Sequence, residues 1–206
     1  IHNFGLENFF AGVNTGNLTM TGFGNVGVGE AALSSNTTGF GNTDTGISAL
    51  EANTMGVHNT ATGESSLEGN TTGGENTATG SLALQSNTTG NNNTATGHSA
   101  MARNTTGVNN TAIGSAALSD NTNGKANTAN GQAARSNNTT GEENTAAGFL
   151  ALFFNTIGFA NTATGSNNTA IGHNADVSQG DLTNFTAIGA NAIVDVSNEI
   201  QLGDDN

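Results

Sequence analysis

Glu51 and Glu68 stand 17 residues apart in a chain that itself repeats every 17 residues. Stacking of successive units would bring their carboxylates to about 5 Å of each other, a separation at which such pairs cleave glycosidic bonds with retention. Sugar-cleaving clefts build platforms from tryptophan or tyrosine, and the chain has neither. Two solvated glutamates on an outer edge are therefore expected. His2, His58, His98 and His173 fall at different places in the unit without metal-ligand spacing and are expected at the surface. No D-x-D-x-D-G loop is present to bind calcium. The sequence thus predicts no catalytic residue, no cofactor and no metal site, and the chain is not expected to be an enzyme.

Two patterns suit binding better. Thr43, Thr60, Thr77, Thr94 and Thr162 are each followed two residues later by threonine, at Thr45, Thr62, Thr79, Thr96 and Thr164. Residues i and i+2 of a strand share a face, so Thr60, Thr62, Thr77, Thr79, Thr94 and Thr96 would form a flat array of the kind that binds ice. The pattern lapses at Ile113, Asn130 and Ala147, and threonine is an ordinary strand former. The second pattern is Phe149, Phe153, Phe154 and Phe159, all in one unit. They fit a core plug or inter-chain contact, or an exposed apolar binding patch.

The elements that would carry these residues follow from the repeat. Asparagine opens each unit at Asn8, Asn25, Asn42, Asn59, Asn76, Asn93, Asn110, Asn127, Asn144 and Asn161, always 17 residues apart. A glycine follows four residues later in every unit, from Gly12 to Gly165, and another ten residues after that, from Gly22 to Gly158. The idealised unit reads N-T-A-T-G-x-S-A-L-x-x-N-T-T-G-x-x. A fixed short period marks units that stack on one another. Frequent glycine forbids long helices, and the short alternating runs between glycines suit strands. Thr77-Ala78-Thr79 and Leu82-Ala83-Leu84 are expected as two strands joined by a turn at Gly80. The predicted fold is all-β: a parallel β-solenoid of 17-residue coils.

Leu33, Leu50, Leu67, Leu84, Met101, Leu118 and Leu152 occupy the ninth place of the unit and are expected as an inward apolar seam. Arg135 interrupts that series and is expected to run its stem along the surface to solvent, the alternative being that it marks a site. Asp44 stands where other units have alanine and would be costly if buried without a partner. The first and twelfth places carry asparagine, which can form amide ladders or serve turns. The repeat also generates Asn-x-Thr triplets such as Asn36-Thr37-Thr38, expected to be structural rather than glycosylated.

The net charge is −13, with 3 basic against 16 acidic residues, and 33% of residues are hydrophobic. The acidic balance excludes a basic footprint for nucleic acid and disfavours anionic membranes. No apolar run approaches a membrane span of about 20 residues, so no direct membrane insertion is expected. The chain is divided into an atypical N-terminal stretch 1–24, regular repeats 25–160, and irregular coils 161–206. In the last, Asn168-Thr169-Ala170-Ile171-Gly172 arrives only seven residues after Asn161, and a junction to a following module is expected. With no initiating methionine or signal peptide, the sequence is expected to be a mature or excised piece.

The recurring N-T-A-x-G, A-L and N-T-T-G elements resemble the head repeats of trimeric autotransporter adhesins. They are similar, too, to fibres ending in an endosialidase-type intramolecular chaperone. The likeness is strongest in Asn168-Thr169-Ala170-Ile171-Gly172, Thr186-Ala187-Ile188-Gly189 and Ser197-Asn198-Glu199-Ile200-Gln201-Leu202-Gly203. It implies a left-handed parallel β-roll, a side-by-side homotrimer and an extracellular, cell-surface or fibre location. The partners it implies are other copies of the chain, and a host or environmental surface, glycan or matrix protein. The unit here is longer than is usual in such heads, and no coiled-coil stalk, anchor or chaperone lies within these residues.

Overall fold

The computed structural model describes residues 2–3, 7–153, 165–178 and 182–204. All its regular elements are strands: β1 His2–Asn3, β2 Phe9–Ala11, β3 Val26–Val28, β4 Thr43–Thr45, β5 Thr60–Thr62, β6 Thr77–Thr79, β7 Thr94–Thr96, β8 Thr111–Ile113, β9 Thr128–Asn130, β10 Thr145–Ala147, β11 Thr169–Ile171, β12 Asp176–Val177, β13 Thr186–Ile188, β14 Ile193–Val194 and β15 Ile200–Leu202. Thirteen of them stack in chain order into one sheet, and β12 pairs with β14 in a second, two-stranded one. Pairing is parallel from β2 onward, with β1 running antiparallel to β2. The chain is a parallel β-solenoid of about 11 turns.

Each strand is short and alternates. In Thr77–Thr79 the threonines are exposed and the middle alanine is buried, and the register sets Thr60, Thr77 and Thr94 directly opposite one another. Ala61, Ala78, Ala95, Ala112 and Ala129 therefore form one inward column. Leu33, Leu50, Leu67, Leu84, Met101, Leu118 and Leu152 form another, each wholly buried, which is the expected seam. Each such side chain contributes roughly 1.5–3 kcal/mol of burial. Packing is close enough that a Cβ added at Gly63 would lie 2.6 Å from the backbone carbon of Gly80.

The expected second strand does not form at Leu82-Ala83-Leu84. Leu82 and Leu84 have φ of 61° and 52°, and the same alternation recurs at Ser65 and Leu67 and at Ser99 and Met101. The N–H of Ala83 donates to Gly80 within the turn at 3.2 Å, and that of Leu84 donates to Ala100 of the next turn at 3.0 Å. The reason lies in burial. Ala83 and Leu84 are adjacent and both 0% exposed, whereas a strand would send them to opposite faces. Placing every second residue in the left-handed region keeps both inside.

Left-handed geometry also recurs at the last place of the unit, where Gly24, Gly41, Asn92, Asn109 and Ala126 all have positive φ. Ala126 is exposed, with φ 53°, so its Cβ brings strain and no packing. Ala126→Gly is expected to raise stability by about 1 kcal/mol, measured as an upward shift of the urea midpoint.

Two asparagine ladders run through the stack. At the first place of the unit, Asn76 Nδ2 donates to Asn59 Oδ1 at 3.1 Å and to the Gly90 carbonyl at 2.8 Å. The backbone N–H of Asn76 donates to the same Asn59 oxygen at 3.0 Å. At the twelfth place, Asn70 Nδ2 donates to Asn53 Oδ1 at 2.8 Å and to Gly73 at 2.9 Å. Asn36, Asn53, Asn70 and Asn87 are 0% exposed. In the Asn-Thr-Thr triplets headed by Asn36, Asn70 and Asn87, the amide nitrogen that glycosylation would use is committed inside the stack.

The ends modify this scheme. Gly16 leaves the ninth place empty in the first turn, and the ring of Phe10 fills it, lying 2.7 Å from where a Cβ of Gly16 would be. Near the other end, the sequence suggests Asn161 as the next ladder member after Asn144, and Asn161 lies outside the described residues. The ladder passes straight from Asn144 to Asn168, whose N–H donates to Asn144 Oδ1 at 3.1 Å, and β10 pairs directly with β11. Gly165 supplies the carbonyl for Asn144 Nδ2 at 3.0 Å. The ladder ends where buried Phe185 donates its N–H to Asn168 Oδ1 at 3.3 Å.

Arg135 corrects the expectation of a solvent-bound side chain. It is wholly buried in the leucine seam, with Nη2 donating to Asn138 Oδ1 at 2.7 Å and to the Gly165 carbonyl at 2.8 Å. Burial pushes its pKa down to about 9, and the charge of Asp176 opposes the fall. Asp176 is itself 2% exposed. The hydrogen bonds to Asn138 and Gly165 and the charge of Asp176 offset part of the cost of this burial.

Candidate functional site

The outer face of the long sheet is made by the first and third residues of each strand, because the middle residue points inward. On β4 to β7 this face is threonine alone: Thr43, Thr45, Thr60, Thr62, Thr77, Thr79, Thr94 and Thr96, all exposed. Neighbouring rows are about 4.8 Å apart, and the two threonines of a row about 6.7 Å apart. The structure therefore brings together the six threonines singled out from sequence, Thr60, Thr62, Thr77, Thr79, Thr94 and Thr96. Thr162 and Thr164 lie outside the described residues.

The hydroxyls separate two kinds of threonine. At the thirteenth place of the unit they are tied into the coil: Thr54, Thr71, Thr88 and Thr105 each donate Oγ1 to the carbonyl of the corresponding threonine one turn on, at 3.0–3.1 Å. On β4 to β7 the hydroxyls form no hydrogen bond with any described residue. They are presented to solvent. Branching at Cβ restricts their rotamers, so the array is ordered before anything meets it.

Among the described residues, none on this face is charged from Phe9 to Leu202, although the chain carries a net −13. Charges sit on the coil's other sides, where Arg103 meets Asp120 at 2.8 Å and Lys125 meets Glu142 at 3.3 Å. Towards the C-terminal end the face becomes apolar, with Ile171, Ile188, Ile200 and Leu202 exposed at 43%, 41%, 70% and 71%. Sequence reasoning missed this patch. The signal was the Thr-Ala-Ile pattern, in which isoleucine shares the outward position of the second threonine.

The phenylalanines are dispersed in role. Phe149 is exposed and stacks on His173 with ring centroids 5.5 Å apart. Phe149 follows Gly148, beyond the end of β10, and so lies off the sheet face. Phe153 is half-buried, its carbonyl accepting from Asn137 Nδ2 at 2.8 Å. Phe154 and Phe159 lie outside the described residues.

Glu51 and Glu68 line one shallow groove with Ser35, Ala52, Gly69, Gln85 and Ser86. Glu68 Oε2 accepts from Gln85 Nε2 at 2.9 Å, so this carboxylate is engaged by an amide of the next turn. His58, His98 and His173 are exposed, His58 edge-on to Phe40 with centroids 5.0 Å apart. Among the described residues, no group of three or more His, Asp or Glu side chains could hold a metal ion. No helix among them is long and apolar enough to cross a membrane. Set against protein-family models, curated proteins and solved structures, the chain matches none.

Proposed function

We propose that the chain is a non-enzymatic segment of an extracellular fibre or adhesin head, wound from 17-residue coils as a left-handed β-roll and assembled side by side as a homotrimer. In this assignment residues 25–160 are the regular rod, 1–24 its modified start and 161–206 the coils that lead to a following module. The observation that carries it is the pair of amide ladders running beside an uninterrupted parallel sheet. They spend the polar groups of each turn on its neighbours and leave a stiff, repetitive exterior. Such a scaffold presents contacts already ordered, so little entropy is lost on binding, and weak contacts repeated on several chains add by avidity.

The apolar end of the sheet face, with Ile171, Ile188, Ile200 and Leu202 exposed, supports association between copies. The targets are other copies of the chain and a cell surface, glycan or matrix protein. Sedimentation equilibrium should return a mass of three chains. Ile188→Asp with Leu202→Asp should yield monomers with an unchanged β-type circular dichroism spectrum, and adhesion to cells or glycan-coated surfaces should fall with the mass. A folded wild-type monomer at all concentrations, with no adhesion, would overturn the proposal.

A further inference from the structure

We propose that the threonine face of β4 to β7 binds ice. This goes beyond the fibre assignment and requires only the solenoid. Three observations bear on it independently. The first is the mesh: the parallel register sets Thr60, Thr77 and Thr94 directly opposite one another, so strand geometry gives rows about 4.8 Å apart with about 6.7 Å between columns, a two-dimensional hydroxyl lattice on the scale of the oxygen repeats in ice. The second is chemical. Eight exposed threonines offer hydroxyls that bond to no described residue, while threonines at the thirteenth place use theirs internally. Strand propensity alone would be met equally by valine, which does occur at Val26 and Val28 on the preceding strand.

The third observation is the absence of charge from a face carried by a strongly acidic chain. Charged groups hold water radially around themselves and would break a lattice-like first layer. Threonine provides a hydroxyl to anchor each water and a methyl group that leaves its neighbours to bond one another. The face is backed by the inward residues Asp44, Ala61, Ala78 and Ala95 and by the ladder at Asn59, Asn76 and Asn93, all of them buried. The layer of water over it is thus ordered by a surface that does not rearrange on contact. Regularity ends at Ile113, Asn130 and Ala147, which places the ice contact on the middle coils and leaves the apolar C-terminal coils to other copies.

The full chain is supercooled around a single ice crystal, and crystal shape and the gap between melting and growth temperatures are recorded. Faceted growth with a measurable gap is expected. Thr79→Tyr, which raises a ring out of the array, should abolish both while leaving the circular dichroism spectrum unchanged. Thr89→Tyr is the control, since Thr89 is exposed on a turn away from the sheet and its replacement should preserve faceting. Unfaceted growth with folded wild-type protein, or equal loss in both variants, would overturn the proposal. So would a Thr79→Cys thiol shielded from a soluble maleimide in the assembled protein, because that places another copy over the face. Loss of the trimer in Ile188→Asp with Leu202→Asp should leave faceting intact, which separates this proposal from the fibre assignment.

Discussion

Replacing Asp44 by alanine is expected to stabilise the chain by about 4 kcal/mol at pH 7. Asp44 is the middle residue of β4, 0% exposed, and it sits in the inward column between Gly27 and Ala61. Neither carboxylate oxygen has a hydrogen-bond partner. Burial pushes its pKa from 3.8 up to about 8, and the weak pull of its own backbone N–H, too poorly placed to form a hydrogen bond, opposes the rise only slightly. The folded chain therefore keeps a proton that the unfolded chain releases. Because the folded pKa is the higher one, the full stability is present below about pH 4 and declines by about 1.4 kcal/mol per pH unit above it. The decline levels off above about pH 8, once the folded state also ionises. Asp44→Ala should be flat across that window and should match the neighbouring alanines in size. Urea midpoints between pH 4.5 and 8.5 test this, and parallel curves for the two proteins would show that Asp44 is not the titrating group.

The cost of Asp44 was legible from sequence because the repeat names the residue that belongs at its position. The same holds for the leucine seam, the amide ladders and the outward threonines, since a strict period carries each position to the same height in every turn. What the period does not encode is backbone handedness. Leu82 and Leu84 look like strand residues, and only the need to bury Ala83 beside Leu84 forces the alternating left-handed path. Arg135 reads as a surface residue until Asp176, 41 positions away in sequence, is brought near the same seam. Phe10 and Gly16 form a similar pair, a ring supplied where the leucine is missing. The stretch after Asn144 was ambiguous for another reason: the motif repeats seven residues after Asn161, and only the structure shows that Asn168 donates to Asn144 Oδ1. For the candidate site, the threonine array was fully visible, whereas the apolar coils at Ile171, Ile188 and Leu202 were hidden within a motif that looked uniform.

Asn93→Leu is expected to cost about 3–5 kcal/mol, although the two side chains are close in size. Asn93 Oδ1 accepts from the backbone N–H and the Nδ2 of Asn110, at 3.0 and 3.1 Å. Its own Nδ2 donates to Asn76 Oδ1 and to the Gly107 carbonyl, at 3.1 and 2.8 Å. Gly107 retains a donor in Asn104 Nδ2, and Asn76 Oδ1 retains the backbone N–H of Asn93. The N–H of Asn110, a residue only 1% exposed and so shut off from solvent, loses its acceptor, and such an orphan costs more than the lost bond itself. Thr94→Leu, one residue away on the exposed face, should change stability by no more than about 0.5 kcal/mol. In a stack where each turn contacts only its neighbours, the damage should also be local. Amide hydrogen exchange should quicken first at Asn110 and Thr111 and stay slow at Thr186–Ile188. If the two leucine variants unfold alike, the ladder does not support the rod. If they differ as expected, the asparagine at the head of each unit is what holds the threonine face in register, and its strict spacing is a requirement of that surface.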